Sequence, residues 1–225
     1  EGMPHQQTWM AFGAHADSWG AELLPYVQQD LINLALTIAR FEPVSMLVRP
    51  GERKLAQTLL SSTASNTTLS TQQQSNLQQH SITLIDAPLD DLWIRDTGPV
   101  FVQNAQGQAF AIDFNFNGWG EKQDYQRDAL VAAKVAQETG TQQLTTDLIL
   151  EGGAIEVDGE GTAIIAESCV LIDNRNPDLS RAEIEEELKY LLGLEKIIWI
   201  PGIKGKDITD GHTDFYARFI RPGVV

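Results

Sequence analysis

The sequence is poor in cysteine and in basic residues. Of its 225 residues one is a cysteine, Cys169, which rules out an intrachain disulfide and leaves every cysteine-based metal site incomplete. Sixteen Lys and Arg residues stand against 31 Asp and Glu residues, so the formal net charge is −15. Because a protein that binds a phosphate backbone needs a basic surface, nucleic acid is disfavoured as a partner.

Long apolar runs are absent as well. No run approaches the ~20 residues that span a bilayer, so we expect no membrane partner. The residues shown contain no signal peptide, and we expect a cytoplasmic protein. A secreted or periplasmic location stays open, because the chain opens at Glu1-Gly2-Met3 and a removed leader would leave such a start. The hydrophobic share of 42% is enough for a substantial core.

The N-terminal part of the chain alternates between helix and strand patterns. Apolar spacing predicts a helix over residues 21–41, a strand over 44–48, a short helix over 52–61 and a strand over 82–85. Between the last two, residues 61–80 are rich in Ser, Thr, Gln and Asn and predict a surface loop.

A strand–turn–strand–helix–strand pattern then occurs twice, about 55 residues apart. The first copy has strands at 100–102 and 109–114, a helix at 125–139 and a strand at 144–150. The second has strands at 154–157 and 163–166, a helix at 181–192 after the cap Ser180, and a strand at 196–200. A third copy is predicted to begin at 214–220. Repeats of this size predict an array or a closed ring, in which neighbouring units complete one another's core.

Three polar clusters each precede the first strand of a repeat copy. They contain Asp96, Glu151, and the pair His212 and Asp214. In a ring of repeats, equivalent positions point to one axis, so we expect these side chains to converge. Convergent carboxylates repel one another unless a cation or a proton shares the site.

Two interpretations of the convergence are open on the residues alone. One is a metal site with His212, Asp214, Asp96 and Glu151 as ligands. The other is a pocket for an organic cation, above all a planar guanidinium, which carboxylates bind through paired hydrogen bonds. Taken singly, each cluster has a plainer explanation: a Gly152-Gly153 turn, an Asp96–Arg95 ion pair, or a structural His212. Their matching repeat positions favour function.

Several motifs resemble one known family over nearly the whole chain. They are His5-Gln6-Gln7-Thr8-Trp9-Met10-Ala11, Trp93-Ile94-Arg95-Asp96-Thr97-Gly98-Pro99, Phe116-Asn117-Gly118-Trp119-Gly120, Leu150-Glu151-Gly152-Gly153-Ala154-Ile155, Asn174-Arg175-Asn176-Pro177 and Asp210-Gly211-His212-Thr213-Asp214. The sequence resembles the agmatine deiminase and bacterial peptidylarginine deiminase family. The resemblance implies the α/β pentein propeller, five ββαβ modules around a pseudo-fivefold axis, with about three modules here. It implies one catalytic domain over residues 1–225, incomplete at its C-terminus, with no metal and no organic cofactor.

The resemblance also implies a reaction and a role for each matching residue. Asp96 and Asp214 would grip the substrate guanidinium, His212 would act as general acid and base, and Glu151 would orient His212. Trp93 would pack on the aliphatic stem of the substrate, and Trp119 would shape the far end of the pocket. The reaction would hydrolyse a small cationic guanidine to a ureido product and ammonia, through a covalent amidino-cysteine.

Two positions depart from the family pattern. The family's nucleophilic cysteine follows a glycine-rich stretch near the C-terminus that nothing here matches, whereas Cys169 lies in an apolar run and is expected in the core. This chain alone is therefore expected to be inactive, with missing C-terminal modules as a partner. Ile208 stands where many agmatine-specific members have glutamate.

Substrate and reaction class are therefore left with alternatives. Agmatine, arginine and peptidyl-arginine all stay open as substrates. An amidinotransferase on the same fold and a catalytically dead guanidinium- or peptide-binding module are the other functions considered. A homo-oligomer stays open too.

Overall fold

The computed structural model describes residues 4–66 and 80–225. The chain divides between Ile94 and Arg95 into two compact units. The prediction of one catalytic domain over residues 1–225 stays a prediction.

The N-terminal unit is built on a three-stranded parallel sheet. Its strands β1 (Thr8–Phe12), β2 (Val44–Val48) and β3 (Ile82–Asp86) lie in the order β1-β2-β3. All five residues of β2 are buried, because a central parallel strand is covered on both faces and so needs a nearly continuous apolar sequence. Strand β2 has the predicted bounds, whereas the apolar spacing of the sequence did not predict β1.

Two helices connect these strands, α1 (Ala16–Ile38) and α2 (Arg53–Asn66). Helix α1 consists of two helical segments that meet at Gly20, whose φ of 72° is open to glycine at little cost. The predicted helix start at residue 21 coincides with the start of the second segment. The first segment is capped by His15, whose Nδ1 accepts a hydrogen bond from the N–H of Asp17. The predicted loop over 61–80 was wrong at residues 61–66, which continue α2, and its residues 67–79 lie outside the described residues.

The C-terminal unit contains two sheets of the same topology. The first is β4 (Val100–Gln103), β5 (Ala109–Asp113) and β6 (Gln142–Thr145), and the second is β7 (Ile155–Val157), β8 (Thr162–Ala166) and β9 (Lys196–Ile200). In each sheet the first two strands are antiparallel and the third is parallel to the middle one. The predicted ββαβ repeat is therefore confirmed for two copies.

Short helices complete the chain. They are α3 (Ile94–Thr97), α4 (Gly118–Glu121), α5 (Val131–Thr139), α6 (Glu167–Val170) and α7 (Arg181–Leu192), with 3₁₀ turns at Pro50–Glu52, Asp128–Leu130, Gly152–Ala154 and Thr213–Phe215. Helix α7 has its predicted bounds. Its predicted capping box is present, since Ser180 Oγ accepts from the N–H of Glu183 and Glu183 accepts from the N–H of Ser180.

Two predicted elements of the first copy are shorter than expected. The predicted helix over 125–139 is the 3₁₀ turn Asp128–Leu130 followed by α5. The predicted strand over 144–150 ends at Thr145, because side-chain amides take the place of a strand partner beyond it. Asn176 bonds both the N–H and the carbonyl of Ile149, and Asn115 donates to the carbonyls of Thr146 and Leu148.

The predicted strand over 214–220 was wrong. Residues 213–215 form a 3₁₀ turn, and the described residues offer no neighbouring strand for the segment after it. The N–H of Phe219 donates instead to the carboxylate of Glu156, and Arg221 and Val224 form an isolated bridge.

The core of the C-terminal unit lies between its strands and helices and includes Ile112, Ile165, Ile184, Leu188 and Cys169, all 0% exposed. The prediction that Cys169 is a core residue is confirmed. Burial, reinforced by the nearby charge of Glu151, raises the pKa of this thiol to about 12. Among the described residues, no helix combines the length and the hydropathy that crossing a bilayer requires.

Replacing Ser180 by alanine should destabilise the fold through loss of the α7 cap. We expect the free energy of unfolding, measured by urea denaturation, to fall by about 1 kcal/mol. Thr139→Ala is the matched control, because the Thr139 hydroxyl only bonds back to the carbonyls of Val135 and Ala136 within α5. Equal losses in both variants would contradict the capping role.

Candidate active site

Three short turns of the C-terminal unit bring the predicted charged residues together. Asp96 lies on α3, and Glu151 directly precedes the 3₁₀ turn Gly152–Ala154. His212 directly precedes the 3₁₀ turn Thr213–Phe215, which contains Asp214. The buried hydroxyl of Thr213 donates to the carbonyl of Ala154 and accepts from the N–H of Ala166, which ties the last turn to the β7–β8 sheet. The predicted convergence of these four side chains is confirmed.

Gly153 lies where three of these side chains meet. A methyl group added to it would lie 2.5 Å from Nδ1 of His212, 2.8 Å from Oδ1 of Asp96 and 3.0 Å from Oδ2 of Asp214. The preceding Gly152 is equally confined, since a methyl group there would lie 2.2 Å from the carbonyl oxygen of Arg95. The glycine pair is therefore required by close approach at the site, beyond any role as a turn.

His212 is buried and held between carboxylates. Its Nε2 lies 3.1 Å from Oε2 of Glu151, and its Nδ1 lies 3.6 Å from Oδ1 of Asp96. Burial alone would lower the pKa of this imidazole. The hydrogen bond to Glu151 and the charges of Asp96, Glu151 and Asp214 outweigh burial, so the pKa of His212 is raised above 6.5.

Asp96 is fixed by two donors from different turns. Its Oδ1 accepts from the N–H of Gly153 at 3.0 Å, and its Oδ2 accepts from the indole N–H of Trp119 at 3.1 Å. Burial and the charge of Glu151 raise the pKa of Asp96, although His212 and the two donors oppose the rise. The carboxylate is thus held in one orientation, with its charge only partly compensated.

The donor Trp119 lies in a left-handed turn. Gly118, Trp119, Gly120 and Glu121 all have positive φ, and the value of 57° at Trp119 is uncommon for a bulky residue. Oδ1 of Asn117 accepts from the N–H of Gly120 at 2.8 Å and closes the turn. Trp119 is 3% exposed, so the strained turn places a buried indole N–H against Asp96.

Asp214 carries an oxygen without a hydrogen-bond donor. Across residues 4–66 and 80–225, the buried side-chain oxygens that lack a partner are Oδ1 of Asp214 and Oδ1 of Asn174. A buried carboxylate oxygen without a donor is costly, because burial removes the water that would otherwise solvate it. The site therefore has an unsatisfied acceptor beside Asp96 and His212.

A second group of charged side chains was not identified from the sequence. Arg175 is completely buried, and its Nε lies 2.8 and 3.2 Å from the two carboxylate oxygens of Glu151. Its Nη1 lies 3.3 Å from Oδ2 of Asp210, which also accepts from Nζ of Lys122 at 2.5 Å. Glu151 and Asp210 are thereby neutralised by two cations. The one available signal was a basic residue in the motif Asn174-Arg175-Asn176-Pro177, and spacing alone does not show that it is buried.

Glu151 is engaged differently from the carboxylates of Asp96 and Asp214. Within the part of the chain that the structure describes, no group of three or more His, Cys, Asp or Glu side chains is arranged to hold a metal. Glu151 already accepts from Arg175 and faces His212, so its oxygens do not point jointly with those of Asp96 and Asp214.

Trp93 lies in the N-terminal unit. Its ring stacks on Trp19 with centroids 6.1 Å apart, and the two indole N–H groups donate to the two oxygens of Asp91. The Trp93 side chain is 40% exposed, and its predicted contact with a substrate stem stays a prediction.

Comparison with known proteins gives one consistent result. The profile of the Porphyromonas-type peptidyl-arginine deiminase family matches residues 1–225. An agmatine deiminase from Pseudomonas aeruginosa is 39% identical over 99% of this chain. Among solved structures, an agmatine deiminase of Enterococcus faecalis superposes with a TM-score of 0.83 at 32% identity over 98% of the chain. A substrate-bound agmatine deiminase of C. jejuni superposes with a TM-score of 0.76 at 28% identity over 96%.

These similarities cover part of each relative. The chain spans 57% of the Pseudomonas protein, 57% of the Enterococcus chain and 59% of the C. jejuni chain. The expected α/β pentein fold is confirmed as a partial fold with three sheets.

We predict that His212 titrates above its ordinary pKa of 6.5 in the folded chain. A raised folded-state pKa means that His212 stabilises the fold fully below pH ~6.5, and that this contribution is lost as the pH rises through the folded-state pKa. An NMR titration of the imidazole nitrogens measures the shift, with His212→Gln to assign the resonance among the chain's four histidines. A midpoint at or below 6.5 would contradict the geometry described for Glu151 and Asp96.

Proposed function

This chain belongs to the Porphyromonas-type peptidyl-arginine deiminase family, and from that membership we propose that residues 95–225 hold the guanidinium-binding and acid–base part of a deiminase active site. The observation that carries the proposal is the unpartnered Oδ1 of Asp214, beside Asp96 and His212 around Gly153. A cation with several N–H donors would satisfy it.

Charge balance supports a cationic ligand at this position. The cations Arg175 and Lys122 already neutralise Glu151 and Asp210. Asp96 lies 3.6 Å from His212, and both Asp96 and Asp214 act on the charge of that imidazole. A guanidinium adds one positive charge and a planar set of N–H donors, which two carboxylates bind through charge-assisted hydrogen bonds. In the proposed complex, Asp96 and Asp214 hold the guanidinium, and Trp119 positions Asp96 through its indole N–H.

His212 supplies the proton transfers in the proposed reaction. Its raised pKa favours the protonated imidazole, which can donate a proton to departing ammonia and, once deprotonated, accept one from water. Glu151 orients the ring through Nε2. A contact of Trp93 with the substrate stem stays an expectation from the family resemblance.

The covalent step requires a cysteine thiolate outside this sequence. The thiolate adds to the guanidinium carbon, ammonia leaves, and an amidino thioether forms; water then cleaves the carbon–sulfur bond to give the ureido product and the thiol. Cys169 does not serve as this nucleophile, because it is buried and its pKa is raised to about 12. The chain alone is therefore proposed to bind substrate without turnover.

Hydrolysis is proposed over amidino transfer, since the relatives described above are named deiminases. Agmatine is the first substrate to test for the same reason. The side chain of Ile208 offers no charge for an amine, so arginine and peptidyl-arginine stay in the test. A cytoplasmic location and a homo-oligomer stay predictions.

We expect the longest polypeptide that the gene encodes to release ammonia from at least one guanidine compound. Agmatine, free arginine and a peptide ending in arginine are assayed side by side for ammonia and for the ureido product. Urea released from the same compounds would indicate a different bond cleavage. If no guanidine compound yields ammonia, the deiminase proposal fails.

The 225-residue chain should bind the preferred guanidine compound by itself, and Asp96→Asn or Asp214→Asn should weaken that binding at least about tenfold, or 1.4 kcal/mol. Gly153→Ala should weaken it comparably, since the added methyl lies against all three polar groups. Isothermal titration calorimetry measures the affinities. Asp178→Asn is the control, because it removes the same charge from an exposed position. Wild-type affinity in both Asp96 and Asp214 variants would contradict the proposed guanidinium contacts.

A further inference from the structure

Arg175 is an unusual residue for the interior of this unit. Its side chain is completely buried, yet its guanidinium reaches acceptors in three places: the carboxylate of Glu151, Oδ2 of Asp210 and the carbonyl oxygen of Thr209 at 3.0 Å. A buried arginine is stable only when its N–H donors are satisfied and its charge is compensated. Here both conditions are met by residues that surround His212.

The first link runs through Glu151. Nε of Arg175 contacts both oxygens of this carboxylate, and one of those oxygens, Oε2, lies 3.1 Å from Nε2 of His212. Arg175, Glu151 and His212 thus form a continuous buried chain. A carboxylate held by a rigid guanidinium keeps one orientation toward the imidazole.

The second link runs through the backbone that carries His212. Oγ1 of Thr209 accepts from the N–H of His212 at 3.0 Å and from the N–H of Gly211 at 3.2 Å. Asp210 has a φ of 66°, which is uncommon for a residue other than glycine, so the contacts of this turn offset its cost. Arg175 contacts the turn at the Thr209 carbonyl and at the Asp210 side chain, and Lys122 adds a second contact to Asp210.

The charge of Arg175 matters as much as its contacts. Among the described residues, the carboxylates of Asp96, Glu151 and Asp214 raise the pKa of His212, and His212 in turn lowers the pKa of Asp207. Arg175 offsets the charge of Glu151, the one anion in direct hydrogen-bond contact with the ring. Without that offset, the imidazolium would be favoured more strongly, and the ring would lose its proton less readily.

We infer that Arg175 is a positioning residue that sets the orientation and the proton affinity of His212, through Glu151 and through the turn at 209–212. The importance of this setting for turnover rests on the proposed function. The orientation and the proton affinity of His212 are properties of the folded chain and are measurable without turnover.

The experiment is an NMR titration of His212 in the 225-residue chain, in a double-mutant cycle. Arg175→Met should raise the pKa of His212 by about one unit, a tenfold higher proton affinity, because Glu151 loses its counter-charge. In the Glu151→Gln background, the same substitution should change the pKa by less than about 0.3 unit, since the linking carboxylate is gone. Arg181→Met, at an exposed arginine of the same unit, should leave the pKa of His212 unchanged.

A purely structural Arg175 gives a different result. In that case Arg175→Met lowers the melting temperature while the pKa of His212 stays within about 0.3 unit of the wild-type value, and the inference is overturned. Equal shifts with and without the Glu151 carboxylate also overturn it, because the action would then not pass through Glu151.

Arg175→Lys decides the matter if the Met variant does not fold. A lysine keeps the positive charge but lacks the planar, five-donor guanidinium group. It therefore cannot bond Glu151, Asp210 and the Thr209 carbonyl at the same time. We expect hydrogen exchange of the His212 backbone amide to accelerate at least about tenfold, with the amide of Ile165 in β8 as an unaffected reference. Unchanged exchange at His212 would overturn the inference. Absence of ammonia release would instead count against the proposed function alone.

Discussion

The buried ion pair between Arg175 and Glu151 is the interaction on which the rest of the site depends. Four carboxylates and one histidine gather in the C-terminal unit, and such a gathering is unfavourable unless cations share it. Arg175 and Lys122 compensate the two deeper carboxylates, Glu151 and Asp210. The two shallower ones, Asp96 and Asp214, lie around Gly153 together with His212. Under the proposed function, this is the place where the substrate guanidinium binds.

Much of the C-terminal unit follows from the sequence because its signals are local and repeated. The turn at Asn104 and the turn at Asp158 each fold back through a side-chain oxygen that accepts from two backbone N–H groups. The capping box at Ser180 and the apolar segments on either side of these turns predicted the order of the two ββαβ copies, and the exact bounds of α7 and β9. Matching positions before the strands then predicted that Asp96, Glu151 and His212 would converge. The structure confirms that convergence, and the roles of the residues stay proposals.

Other features depend on tertiary contacts that no spacing reveals. Leu148 and Leu150 are buried like strand residues, yet no strand forms there. Asn115 donates to the carbonyl of Leu148, and Asn176 bonds the N–H and the carbonyl of Ile149 between them. The segment after Asp214 alternates like a strand but has no neighbour to pair with in the described residues. Arg175 could not be recognised as buried, because its burial depends on acceptors from Glu151 and the distant turn at 209–212. The left-handed turn at Trp119 could not be predicted from the sequence either, since its strain is offset by the hydrogen bond from the N–H of Gly120 to Asn117.

The charged residues of the site lie on short turns, outside the hairpins and the helices α5 and α7 that connect the strands. Asp96, Glu151 and His212 lie on turns that pack on one another, whereas the hairpin tips at 104–107 and 158–161 contribute no side chain to the site. Helices α5 and α7 contribute none either. Insertions or deletions at those tips would therefore leave the spacing of the site groups intact. Evolution can thus vary chain length and surface in this architecture while the site geometry stays constant, and alignments of relatives should gather their gaps at the two hairpin tips.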